Sequence, residues 1–170
     1  LRRQRQMCIR DRVSLNTILI LLIILCFVSC DEHRVYEKNI DFQGQQWSSM
    51  DTLRFTTHIE GETPLNLYVN VRHRFNYNWR NVWLNLGIIF PNDSLYETAI
   101  NIQLSQPDGQ WFGDCTGDVC LLKYPLSNYT NYAFADTGFY SFHLTHEMRE
   151  DPLLEIMSAG VRIENYTAIE

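Results

Sequence analysis

The sequence predicts an all-β fold, an antiparallel β-sandwich of Ig-like or jelly-roll-like kind, preceded by a cleaved lipoprotein signal peptide. Three observations predict it. Apolar and polar residues alternate with a period of two through at least six segments, turn signals separate those segments, and one uncharged apolar run near the start stops at a cysteine.

The start of the chain sets where the domain begins. Met7 to Arg12 reads MCIRDR, which looks like the translation of a sequencing-library adapter, so residues 1–12 are read as adapter-derived and stand outside the fold. Residues 13–29 read as a lipoprotein signal peptide truncated at its start. Its apolar part, Ile18 to Val28, is ILILLIILCFV, 11 residues without a charge. A spanning helix needs roughly 20 such residues, so this run fits the hydrophobic region of an export signal. Phe27 to Cys30, FVSC, resembles a bacterial lipobox, which places the lipid on the sulfur of Cys30 and the cut just before it. Acyl chains contribute about 0.8 kcal/mol per buried CH₂, enough for a triacylated Cys30 to hold firmly to a membrane. Residues 30–37 are then the lipidated N-terminus and tether, and residues 38–170 one β-sandwich domain.

Strands follow in order. Leu53, Phe55 and Ile59 alternate with Arg54, Thr56 and His58; Leu65, Leu67, Val69 and Val71 alternate with Asn66, Tyr68, Asn70 and Arg72. Val82, Leu84, Leu86 and Ile88 form a third inward row, Ile100, Ile102 and Leu104 a fourth, Tyr140, Phe142 and Leu144 a fifth, and Val161 and Ile163 a sixth. This is the period of a half-buried strand. GETP at Gly61, NYN at Asn76, PND at Pro91, QPDGQ at Gln106 and ADTG at Ala135 supply turns between them. Met148 to Ile156 is the one segment that reads as a helical turn.

Charge and cysteine content narrow the function classes. The full chain has net charge −6, but five of its 14 basic and one of its 20 acidic residues lie in residues 1–12, which leaves 9 against 19 after Cys30, near −10. That balance argues against nucleic acid and against electrostatic docking on anionic lipid, because both reward clustered Lys and Arg. Beyond Cys30 only Cys115 and Cys120 remain, in DCTGDVC. In an exported chain they are a candidate disulfide, favoured over free thiols, and zinc would need two further ligands.

Catalytic patterns are weak. His143 and His146 are three apart on a predicted strand, so they face opposite ways and lack the helical spacing of a zinc-protease motif. Asp114 and Asp118 read as solvated loop charges. No metal, no cofactor beyond the covalent lipid and no enzyme activity is expected. Aromatics are the other candidates for binding: Trp83 and Tyr68 fall on the outward sides of their strands, as on a sugar-stacking platform.

Three stretches carry a family resemblance: NLYVNVRHRFNYNWRNVWLNLGIIFPNDS from Asn66, QPDGQWFGDCTGD from Gln106, and GFYSFHLTHEMREDPLLEIMSAGVRIEN from Gly138. Together they resemble the gliding-motility lipoprotein GldH family of Bacteroidota, over nearly all of the chain from Cys30 to about Asn165. The most specific parts are the P-D-G-x-W-x-G turn of Pro107, Asp108, Gly109, Trp111 and Gly113, the Met148–Arg149 pair with the following DPL, and the G-x-R-I-E of Gly160, Arg162, Ile163 and Glu164. This chain has Asp114 and Cys115 where the family pattern carries lysine and glycine.

The resemblance implies an envelope lipoprotein required for gliding, most simply at the outer membrane, acting as a non-catalytic component or stabiliser. Its partners would be other envelope proteins of the gliding and secretion apparatus. The expected contact surface is the turn of Asp108, Gly109, Trp111 and Gly113 with the Cys115–Cys120 loop. The alternative is a surface glycan-binding lipoprotein that uses exposed aromatics.

Overall fold

A computed structural model describes residues 33–167; the lipobox, Cys30 and the signal peptide lie outside the described residues. The strands are β1 (Arg34–Asp41), β2 (Gln46–Trp47), β3 (Leu53–Ile59), β4 (Pro64–Arg74), β5 (Asn81–Ile89), β6 (Leu95–Gln103), β7 (Asp114–Thr116), β8 (Val119–Pro125), β9 (Tyr132–Ala133), β10 (Gly138–His146), β11 (Leu153–Leu154) and β12 (Ile156–Asn165). One sheet runs β1-β12-β4-β8-β7, with β9 beside the start of β4, and a second runs β3-β10-β5-β6; β11 and β2 form a small third pair. Every pairing is antiparallel.

The alternation read from the sequence is the burial pattern. Leu65, Leu67, Val69 and Val71 of β4 face inward with Val161 and Ile163 of β12, and meet Leu84, Leu86, Ile88, Phe55, Phe142 and Leu144 of the other sheet in one core. A bulge at Met157 brings Ile156 into the same inward row, opposite His73.

Two long strands arrive late in the sequence and are inserted between earlier ones: β10 between β3 and β5, and β12 between β1 and β4. Arg34 pairs with Glu164 and Leu65 with Asn165, so the first strand, the last strand and the start of β4 share one end of the sandwich. The β3–β4 loop and the β5–β6 hairpin lie at the same end, where Gly61 N–H donates to Thr137 Oγ1 and Gly138 lies against Pro91. We call this the tether end, because Cys30 is four residues before Arg34. The β4–β5 connection, the β7–β8 hairpin and the segment after β10 gather at the opposite, distal end.

Two expectations need correction. Residues 34–37, read as tether, lie in a strand, because β1 begins at Arg34 and pairs along most of its length with β12. Met148 to Ile156 is not a helical turn: Pro152 follows a cis peptide, and Leu153 and Leu154 form β11. Proline supplies no N–H and disfavours the helical region for the residue before it, which accounts for the difference.

Candidate functional site

The distal end concentrates the residues that the sequence singled out. Its first feature is the turn after β6. Asp108 Oδ1 accepts from the Gln110 N–H at 3.0 Å, and Gly109 has a φ of 93°, a conformation that favours glycine. The Ser105–Trp111 bridge closes the turn. Gly113 has a φ of 83° and passes so close to β8 that a Cβ there would collide with the Leu121 carbonyl. Asp108, Gly109 and Gly113 therefore fix the path of the loop, and Trp111 fastens it to the core.

Trp111 is half-buried over His73 and Tyr77, with ring centroids 4.5 and 6.5 Å away. His73 Nδ1 lies 2.9 Å from the Arg74 carbonyl, and burial holds its imidazole below the ordinary histidine range. Flanking the turn, Phe75 and Phe112 are exposed, and Phe75 borders a shallow depression of about 360 Å³ with Gly109, Trp111 and Cys115. Cys115 and Cys120 are cross-strand partners in the β7–β8 hairpin and are joined by a disulfide. Asp118 at its tip pairs with Arg74 at 3.0 Å, and Asp114 is exposed.

The second feature lies on the outer face of the β3-β10-β5-β6 sheet. Trp79 and Trp83, 44% and 41% exposed, line a groove of about 590 Å³ with Asn81, Glu147, Met148 and Arg149. The Trp83 N–H donates to Met148 Sδ at 3.3 Å, and the Trp79 indole donates to Glu150 Oε2 at 2.6 Å. The Met148–Arg149 pair thus forms one wall of an aromatic groove. Trp83 faces outward as its strand parity predicts; Trp79, Phe75 and Phe112 sit on loops, where no parity fixes which way a side chain faces. Tyr68 belongs elsewhere, on the outer face of the other sheet, with the Lys123 ammonium 4.5 Å above its ring.

Gly160, Arg162 and Glu164 of the G-x-R-I-E stretch form a third feature, on the outer face of β12, while Ile163 faces the core. Arg162 Nη1 donates to Glu37 Oε2 at 2.8 Å, Arg162 Nε donates to Glu164, and Lys123 Nζ donates to Glu164 Oε1 at 3.0 Å. Asn70 Nδ2 reaches Glu37 and Asn39 at 2.9 and 3.1 Å. Burial pushes the Glu37 and Glu164 carboxyls up, but their basic neighbours more than offset it, and both lie below the usual range. Gly160 has no room for a Cβ, which would strike the Lys38 carbonyl and the Asn39 side chain. This network clamps β1 onto β12.

The two histidines of HLTHE separate as their spacing requires. His143 faces outward, while His146 is buried, edge-on to Trp47, with Nε2 3.0 Å from the Trp47 carbonyl. Among the described residues no group of three His, Cys, Asp or Glu side chains could hold a metal ion.

An antiparallel all-β sandwich that exposes Phe75, Trp79, Trp83 and Phe112 at its distal end, and Tyr96, Phe139 and Tyr166 at the other, is a domain with surfaces to offer. The GldH lipoprotein family model matches residues 34–163, and the chain belongs to that family. It is 28% identical over 161 residues to the gliding motility lipoprotein GldH of Flavobacterium johnsoniae, covering 90% of this chain and 98% of the relative. It is 26% identical to a gliding motility lipoprotein GldH homolog of Christiangramia forsetii, covering 90% and 97%. Among solved structures, the VP2 subviral particle of infectious bursal disease virus aligns at a TM-score of 0.36 and 18% identity, over 81% of this chain and 34% of that one. The chain spans about a third of that capsid chain, and so low a score carries no argument.

Proposed function

We propose that the protein is an envelope lipoprotein, anchored through acylated Cys30, that serves gliding motility as a non-catalytic component of the motility and secretion machinery at the outer membrane. The observation that carries this reading is membership of the GldH lipoprotein family over residues 34–163, with relatives named for gliding motility. The geometry adds a direction. Four residues reach at most about 14 Å, so an anchored Cys30 holds the tether end at the membrane and turns the distal end away from it. The contact surface is then the distal turn of Asp108, Gly109, Trp111 and Gly113 with the Cys115–Cys120 hairpin, where Phe75 and Phe112 offer apolar area to other envelope proteins.

Two experiments test this. Cys30→Ser should abolish acyl labelling and leave the precursor uncleaved; unchanged maturation rejects the anchor. Pull-downs with the distal variant Phe75→Ser/Phe112→Ser should lose the envelope proteins that the wild-type chain captures.

The exposed Trp79–Trp83 pair favours a second reading, in which the groove stacks on a glycan. A change in tryptophan fluorescence with polysaccharides, lost in Trp83→Ala, supports it; no change removes it.

A further inference from the structure

The fourth strand of the smaller sheet has a free side. Phe90 N–H donates to the Ser94 carbonyl at the mouth of the β5–β6 hairpin, and Leu104 N–H donates to the Arg80 carbonyl at the far end. With the register between them unbroken, the even-numbered positions of β6 hold the hydrogen bonds to β5. Leu95, Glu97, Ala99, Asn101 and Gln103 therefore direct their N–H and C=O groups away from it, and among the described residues no other strand lies beyond.

Natural sheets protect such an edge with lysine, proline, a bulge or a covering loop. LYETAINIQ has no basic residue and no proline, its pairing shows no register shift, and its one charge is Glu97. A second observation concerns what lies beside it. Between this edge and the facing sheet runs an open cleft of about 180 Å³, bordered by Thr98, Ile100, Tyr124, Leu126 and Tyr129. The inward side of the sandwich is thus incompletely filled along the same line where backbone groups are unpaired.

We propose that the β6 edge takes up an extended strand of another envelope protein, whose inward side chains are aliphatic and enter the cleft. The unpaired backbone sets the chemistry of the occupant, because only another extended chain satisfies alternate N–H and C=O groups along nine residues. A second copy fits less well. Two β6 strands paired antiparallel about a two-fold axis would send their tether ends in opposite directions, roughly 30 Å apart along a nine-residue strand, whereas two anchors in one membrane must lie on the same side. This choice between partner and copy rests on the anchored reading above; the strand-accepting edge does not.

Random nonapeptides displayed on phage and selected against the detergent-purified full-length chain test the edge directly. The expected binders alternate apolar and polar residues, slow hydrogen exchange at the Ala99 amide, and bind Ala99→Pro at least tenfold more weakly. That substitution removes an outward N–H and leaves the bonds to β5. Should Ala99→Pro fail to fold, Thr98→Arg, which obstructs the cleft and keeps every backbone bond, reads the same loss. The proposal is overturned if no peptide is enriched, if the binders ignore the substitution, or if the wild-type chain sediments as a dimer that Ala99→Pro dissociates. Loss of acylation with strand binding intact would remove the membrane reading and leave the edge.

Discussion

The Trp111 indole lies 4.5 Å, centroid to centroid, from the imidazole of His73, a residue with no exposed surface. One aromatic from a surface turn thereby closes the distal end of the core over a neutral histidine. Trp111→Ala should cost about 3 kcal/mol, the low end for loss of a large aromatic because the ring is only half-buried. Trp111→Phe should restore much of it. Urea denaturation reads both, and an unchanged midpoint in Trp111→Ala would separate the turn from the core.

Acid should weaken the fold in two stages. Burial holds His73, His146 and His143 below the ordinary histidine range, with the Arg54 charge adding to the effect at His143. The unfolded chain therefore takes up protons near pH 6.5 that the folded chain refuses, so this contribution is complete above about 6.5 and declines as pH falls below it. Glu37 and Glu164 are lowered, so theirs persists to below about 4.3 and is lost as they protonate. Urea midpoints measured at pH 7.5, 6 and 5 should fall over the upper window, and less steeply in His146→Gln. A flat profile contradicts the burial of neutral histidines.

Strand β1 should detach when its clamp is broken. Gly160→Ala forces β12 against the Lys38 carbonyl, and Arg162→Ala leaves Glu37 and Glu164 short of their guanidinium. Each should cost about 3 kcal/mol. Amide exchange in Arg34–Asp41 should accelerate before the rest of the sandwich, and uniform exchange would show that β1 is held by other means.

Much of the architecture was legible because a period of two is a local property. β4, β5 and β10 announce themselves with clean alternation, since one face of each meets the core and the other meets water. β1 does not: RVYEKNID is an edge strand whose only partly covered inward side chains are Tyr36 and Ile40. β8 hides for a different reason, because Leu121 faces outward beside Leu122, which faces the core. The site was less legible still. Arg162 meets Glu37 across 125 positions, and only the insertion of β12 between β1 and β4 brings them together. The distal grouping of Phe75, Phe112, Trp79 and Trp83 depends on which ends of the strands coincide, a fact that no local pattern contains.

The hairpin loop is stiffened covalently. Cys115→Ser/Cys120→Ser should cost about 2 kcal/mol, the chain-entropy value for so short a loop. Thiol titration of the denatured oxidised chain should detect neither cysteine. Two additional reactive thiols would mean that the pair is reduced in the protein as it is made.

The most direct measurement is the movement of single cells on glass, in the native host, after the chromosomal gene is deleted or replaced by Phe75→Ser/Phe112→Ser. The account predicts that gliding stops in the deletion and in the double variant, with the variant chain present at wild-type abundance in the membrane fraction. Cells that glide normally without the gene would contradict it.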